Sequence, residues 1–166
     1  VIFSQNKFII PIFKFNSCRF AKKYSMIRYF TEDTAFRYIG KRFNNKWLKS
    51  VISLESKVQG DINIIFCSDD YLLEVNKKFL NHDYYTDIIT FDYCQDDLIS
   101  GDLFISVDSV KDNAEHFSVQ FDEELHRVIV HGVLHLIGYD DHQEDDVRQM
   151  REKENYYLEL RKNFNE

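Results

Sequence analysis

Fifteen residues in the last third of the chain, Val128 to His142 (VIVHGVLHLIGYDDH), restrict its fold more than any other stretch. Val128, Ile129, Val130, Val133, Leu134, Leu136 and Ile137 clothe a helix nearly all round, and such a helix must be wrapped by other elements. Yet it carries His131 and His135, one turn apart on the same face, where an imidazole without a partner is costly. Gly138 then stops the helix and lets the chain fold back, which brings Asp141 and His142 within reach of the pair.

Histidines at i and i+4 present ring nitrogens that can converge on one ion. Two histidines so spaced also occur by chance in many helices, each bonded to a carbonyl, but in an apolar interior one shared cation satisfies both. Asp141 or His142 completes the set. Zinc suits imidazole and carboxylate ligands, and three protein ligands leave a fourth position for water. An open position implies catalysis, with the ion lowering the pKa of water and polarising a phosphoryl or carbonyl oxygen, so hydrolysis is the expected reaction class. Peptide hydrolysis is disfavoured, because Gly132 stands where the zinc-protease pattern HExxH has its glutamate base.

The remaining sequence supplies the wrapping. A chain of 166 residues suits one domain with a single core. Ile27 to Phe30 reads as a strand, Asn44 to Leu54 as a helix with Trp47, Leu48, Val51, Ile52 and Leu54 at helical spacings, and Asp61 to Cys67 as a strand. Ser68 to Asp70 caps a helix from Tyr71 to Phe79. Asp87 to Tyr93 and Asp102 to Val107 form an expected antiparallel pair, joined through a turn with Asp96, Asp97, Ser100 and Gly101. Asp108 or Ser109 caps a helix from Val110 to His116, Glu123 to Ile137 is the histidine helix, and a last helix starts near Glu144 with Val147, Met150, Tyr157 and Leu158 on one stripe. The layout is α+β, a small mixed sheet surrounded by helices.

Three scattered cysteines, Cys18, Cys67 and Cys94, form neither a disulfide framework nor a CxxC knuckle, which fits a reducing cytoplasm, with Cys67 a buried small hydrophobe. No apolar run is long enough to span a bilayer. Residues 1–25 are basic and aromatic without a single acid, and are expected to be a non-native or disordered extension ahead of a translation start at Met26. The domain from 26 to 166 then holds 16 basic and 28 acidic residues, a net of −12. That balance excludes a general polyanion binder, so an RNA substrate has to enter through a local cationic patch, the metal or a partner.

HGVLHLIGYDDH resembles the signature of the YbeY family of ribosomal-RNA endonucleases. The likeness extends upstream through NKKFLNHDYYTDIITF, Asn76 to Phe91, and through Gly101, Asp102 and Ile105, and covers about Asp61 to Leu160. It implies a zincin-like metal hydrolase fold, one zinc ion per chain, and a single-strand-specific endoribonuclease of 16S ribosomal-RNA maturation and ribosome quality control, with ribosomal RNA and the small ribosomal subunit as partners. By position His131 and His135 are the first two ligands. The family's third histidine falls at Asp141, with His142 one residue later. Leu80 sits where the family carries an arginine that helps bind or cleave RNA, so another cation such as Lys77 or Lys78, or His82, would have to stand in. Asp87, beside Thr86, either orients a ligand histidine or caps its turn. His116 and His126 have no ligand spacing and are expected to be surface or hydrogen-bonded residues. Two rivals remain: a zinc-stapled ribosome-assembly factor with little catalysis, and a hydrolase of another phosphoester or amide.

Overall fold

The strand Val58–Cys67 (β3) explains the architecture, because its apolar run is buried on both faces. Ile62, Ile64 and Phe66 point into the main core, whereas Ile65 and Cys67 point into a second, smaller one. Strand alternation requires this division once helices cover both sides of a sheet. The computed structural model describes residues 2–3 and 25–164, so the expected extension at 1–25 lies outside the described residues apart from a two-residue strand at its start and Ser25 at its end.

The strands are Ile2–Phe3 (β1), Ile27–Thr31 (β2), β3, Ile88–Asp92 (β4) and Leu98–Ser106 (β5), in the spatial order β1-β4-β5-β3-β2. β2 and β5 flank β3 in parallel, and β4 pairs antiparallel with β5 in the register Ile88↔Ile105 and Thr90↔Leu103. The mixed α+β sheet and the antiparallel pair are as the sequence led us to expect. The turn is shorter than expected, because β5 begins at Leu98 and takes in Ser100 and Gly101. Gly101 is there for space: a Cβ would come within 2.5 Å of the Phe91 carbonyl and 2.6 Å of Leu136.

The helices are Lys41–Leu54 (α1), Asp69–Val75 (α2), Val107–Phe117 (α3), Phe121–Ile137 (α4) and Glu144–Lys162 (α5), with a π-helical turn at Asn76–Leu80 after α2. α1 buries Trp47, Leu48, Val51 and Ile52 as its periodicity demands, whereas Leu54, in its last turn, is exposed, and the Trp47 indole donates to the Tyr157 carbonyl of α5 at 2.9 Å. Ser68 caps α2 by accepting from the Tyr71 amide. α3 is capped by Ser106, which accepts from the Ser109 amide, rather than by Asp108 or Ser109. The hydroxyl has to stand just before the first free amides, and β5 runs directly into the helix. On α5, Val147 is exposed and the buried stripe is Met150, Glu154, Tyr157 and Leu158. Among the described residues, no helix is long and apolar enough to cross a membrane.

α4 lies across the main core as its composition requires, packed on β4 and β5 at one side and against α1 and α5 at the other. Gly132 sits against the sheet, where a Cβ would meet Ile88 at 2.6 Å and Leu103 at 3.0 Å. Overfilling such a position costs about 1–3 kcal/mol. A glutamate here, as in HExxH, would have to push Ile88 and Leu103 aside.

Candidate metal centre

The end of α4 is built for a sharp reversal. Gly138 takes φ 112°, its amide donates to the His135 carbonyl at 2.9 Å, and the Tyr139 amide donates to Leu134 at 3.0 Å. This is the Schellman arrangement, which favours glycine because a Cβ is strained at that φ. The chain then folds back so that Asp141 faces the helix it has just left.

His131, His135 and Asp141 meet there, with one ligand atom from each lying within 4.8 Å of the others. The Asp141 Oδ2 atom is 3.7 Å from His131 Nε2 and 3.6 Å from His135 Nε2. Four ligands at zinc-nitrogen distances stand roughly 3.4 Å apart around a tetrahedron, close to this spacing. The other nitrogen of each ring is already engaged. His131 Nδ1 is 2.8 Å from Glu154 Oε1, and His135 Nδ1 is 3.0 Å from the Tyr139 carbonyl.

Those partners are both acceptors, so each Nδ1 carries the proton and each Nε2 presents a lone pair. Three acceptors therefore converge, and His135 Nε2 is buried without a hydrogen-bond partner. Burial, reinforced by the neighbouring His131, pushes His135 down to about 4, so its imidazole is neutral at pH 7. A divalent cation satisfies all three atoms at once, and the donor set fits zinc.

Two supports went unseen in the sequence. Glu154 on α5 is buried and holds His131, while Arg127 Nη1 at 3.3 Å and Arg151 Nη1 at 2.9 Å hold Glu154. Burial works to raise this carboxyl, but the hydrogen bond from His131 and the charge and hydrogen bonds of the neighbouring arginines outweigh it and keep it below its ordinary value. Its signal was an acid on an apolar stripe, at i+4 from Met150 and i−4 from Leu158. Tyr139 is the second support: its carbonyl orients His135, while its hydroxyl donates to Glu55 Oε2 at 2.9 Å. Glu55 also accepts from Lys153 at 2.7 Å and from Tyr157, so the turn is tied to α1 and α5.

The other residues singled out lie elsewhere. The His142 side chain is 57% exposed, with Nε2 3.5 Å from Asp140 and Nδ1 4.0 Å from Asp141. Asp140, Asp141 and His142 form a second group with metal-ligand spacing, but two of its three members are exposed. Asp87 accepts from Asn113 at 3.1 Å, and the carboxylate bonded to His131 is Glu154 instead. The Thr86 hydroxyl donates to the Ile88 carbonyl. His82 stacks on Tyr84, Leu80 packs against the smaller core, and Lys77 is paired with Asp83 at 2.7 Å.

A family model described as endoribonuclease YbeY matches residues 19–162. The chain is similar to the endoribonuclease YbeY of Bacteroides thetaiotaomicron, 51% identical over 135 residues that make up 81% of this chain and 98% of the relative. It is 53% identical to the protein of the same description from Phocaeicola vulgatus, again over 81% of this chain and 98% of the other. Among solved structures, the solution structure of TM1509 from Thermotoga maritima superposes with a TM-score of 0.59 at 31% identity, covering 82% of this chain and 89% of that one.

Proposed function

The chain belongs to the endoribonuclease YbeY family and has its α+β, zincin-like fold, and from that premise we propose that it is a zinc-dependent, single-strand-specific endoribonuclease. It acts in 16S ribosomal-RNA processing and ribosome quality control, with ribosomal RNA and the small ribosomal subunit as partners. The observation that carries the reading is the convergence of His131 Nε2, His135 Nε2 and Asp141 Oδ2 with both Nδ1 protons already committed.

These three atoms would hold one ion per chain. An ion held there supplies Lewis acidity toward a phosphoryl oxygen and lowers the pKa of water. The chain's own residues do the rest. Glu154 keeps the proton on His131 Nδ1, and the Tyr139 carbonyl keeps it on His135 Nδ1, so both rings stay fixed in tautomer and direction. Asp141, at 29% side-chain exposure, is the ligand on the side open to substrate. Arg151, half exposed and bonded to Glu154, brings positive charge beside the ligands, which Leu80 does not.

Leu80 favours a second reading, an assembly factor in which the metal staples α4 to the turn and little RNA is cut. One experiment separates the two. Metal-loaded protein and its His135→Ala variant are incubated with precursor ribosomal RNA, and metal content is measured on both. Cleavage by the wild type, lost together with metal in the variant, supports the nuclease. Full cleavage after chelation refutes it, and metal-dependent folding without cleavage favours the assembly factor.

A further inference from the structure

An acidic nuclease has to solve a problem of access, because its substrate is a polyanion. From Glu55 to the C-terminus there are 26 acids and ten bases. Between Arg37 and Lys49, by contrast, there are five bases and no acid. Ion pairing sharpens the contrast. Lys57, Lys77, Arg127, Arg148, Arg151, Lys153 and Lys162 all have carboxylate partners. Arg37, Lys41, Arg42, Lys46 and Lys49 are all exposed, and none has a carboxylate partner among the described residues. The uncompensated positive charge is therefore concentrated on α1 and the loop before it.

Its arrangement is ordered. Arg42, Lys46 and Lys49 fall at i, i+4 and i+7, one stripe on the outer face of a helix whose inner face is Trp47, Leu48, Val51 and Ile52. At the first turn of α1 the stripe meets an aromatic cleft of about 450 Å³ that is lined by Tyr29, Phe36, Tyr38 and Phe66 together with Arg37 and Lys41. Tyr29 and Tyr38 are stacked there with centroids 4.9 Å apart, and Ile39 at the edge of the cleft is 87% exposed. At its other end α1 reaches Glu55, which is bonded to Tyr139 in the turn that carries Asp141. The helix spans about 21 Å between these ends.

Aromatic faces beside a track of cations are what single-stranded nucleic acid requires, with bases stacking and phosphates following the charge. We infer that the cleft at Tyr29, Phe36 and Tyr38 and the stripe Arg42, Lys46 and Lys49 form an RNA-binding track, which seats an unpaired base at the start of α1 and leads the strand toward the metal turn. The inference rests on the endoribonuclease reading and adds how a net-negative chain captures its substrate. It also supplies cations in a different place from Leu80.

The test is fluorescence anisotropy of the full chain with a labelled, unstructured oligoribonucleotide across a salt series, with chelator present to prevent cutting. The triple variant Arg42→Gln, Lys46→Gln, Lys49→Gln should bind about tenfold more weakly or worse at moderate salt. Its plot of log affinity against log salt should be flatter by about 2, as three lost phosphate contacts require. Neutralising Lys78 and Lys111, which lie outside the track, should change neither quantity. A strand of abasic residues with the same charge should bind the wild type about fivefold more weakly or worse, since base stacking is lost. Unchanged affinity and slope in the triple variant, with RNA cleavage intact, would overturn the track and leave the nuclease standing. A wild type that neither binds nor cuts RNA would overturn both, and equal affinity for the abasic strand would overturn the seat for the base.

Discussion

The two halves of α4 each hold a histidine in a crowded setting, and the same helix puts them to opposite uses. In the N-terminal half, the His126 Nε2 atom accepts from Arg161 at 2.8 Å and lies 3.0 Å from the Tyr38 hydroxyl, and the ring packs against Trp47. Its hydrogen bonds close within the fold. In the C-terminal half, His135 has one nitrogen bonded to Tyr139 and the other buried without a partner, facing Asp141. Burial lowers both rings to about 4, so depressed basicity does not distinguish a candidate ligand from a structural histidine. The open lone pair does, together with what it points at.

Breaking the C-terminal constellation at its third member should have the largest effect. Asp141→Ala leaves only two imidazoles and should lose most bound zinc, with cleavage falling at least a hundredfold. His142→Ala should keep full metal content and stay within about 0.5 kcal/mol of wild-type stability, as an exposed side chain should. Metal analysis and RNA turnover on the pair measure both. If His142→Ala loses the metal and Asp141→Ala keeps it, the turn holds its ion through the other residue and the contrast drawn above moves by one position.

Glu154→Gln tests the layer behind the ligands. Gln can still accept from His131, but it leaves Arg127 and Arg151 without their carboxylate and makes the ring a poorer donor to a metal. Loss of such a partner costs about 10–100-fold in metal affinity, so a competition titration with a chromophoric chelator should show a weaker site, while excess zinc restores turnover. An affinity equal to that of the wild type would make Glu154 a purely structural acid, and α5 would then resemble the His126 side of the molecule.

How much of this was open to reading depended on range. Local periodicity and caps defined α1, α4 and the antiparallel pair β4–β5, because hydrophobic spacing and a stop glycine act within a few residues. The pairing of β3 between β2 and β5 was not readable, since Ile62 to Cys67 looks equally apolar to either neighbour. In the candidate centre, His131, His135 and the choice between Asp141 and His142 came from spacing within one turn. Glu154 did not, because it reaches His131 from 23 residues away, and Glu55 reaches Tyr139 across 84. Ser106 replaced Asp108 and Ser109 as a cap because the end of a strand, which sequence locates poorly, decided where the helix began.

The smallest expected effect concerns His126, and its sign follows from the same contrast. Its folded pKa, lowered to about 4 by burial and then by Arg161, lies below the ordinary value of 6.5, so the unfolded chain binds more protons between those values. Stability therefore rises with pH through that window: the contribution of neutral His126 is complete above about 6.5 and is lost as pH falls toward 4. The amount is about 1–2 kcal/mol once screening at a partly open site is allowed for. Urea unfolding of chelated protein at pH 7 and pH 5 measures it. His126→Gln should remove the His126 share of the difference, while the equally lowered His135 keeps its own, and should leave zinc content unchanged, because Gln can accept from Arg161 without taking up a proton. A slope that survives the substitution in full would assign the acid sensitivity to the metal half of α4, and the two histidines would then have exchanged the properties argued for them here.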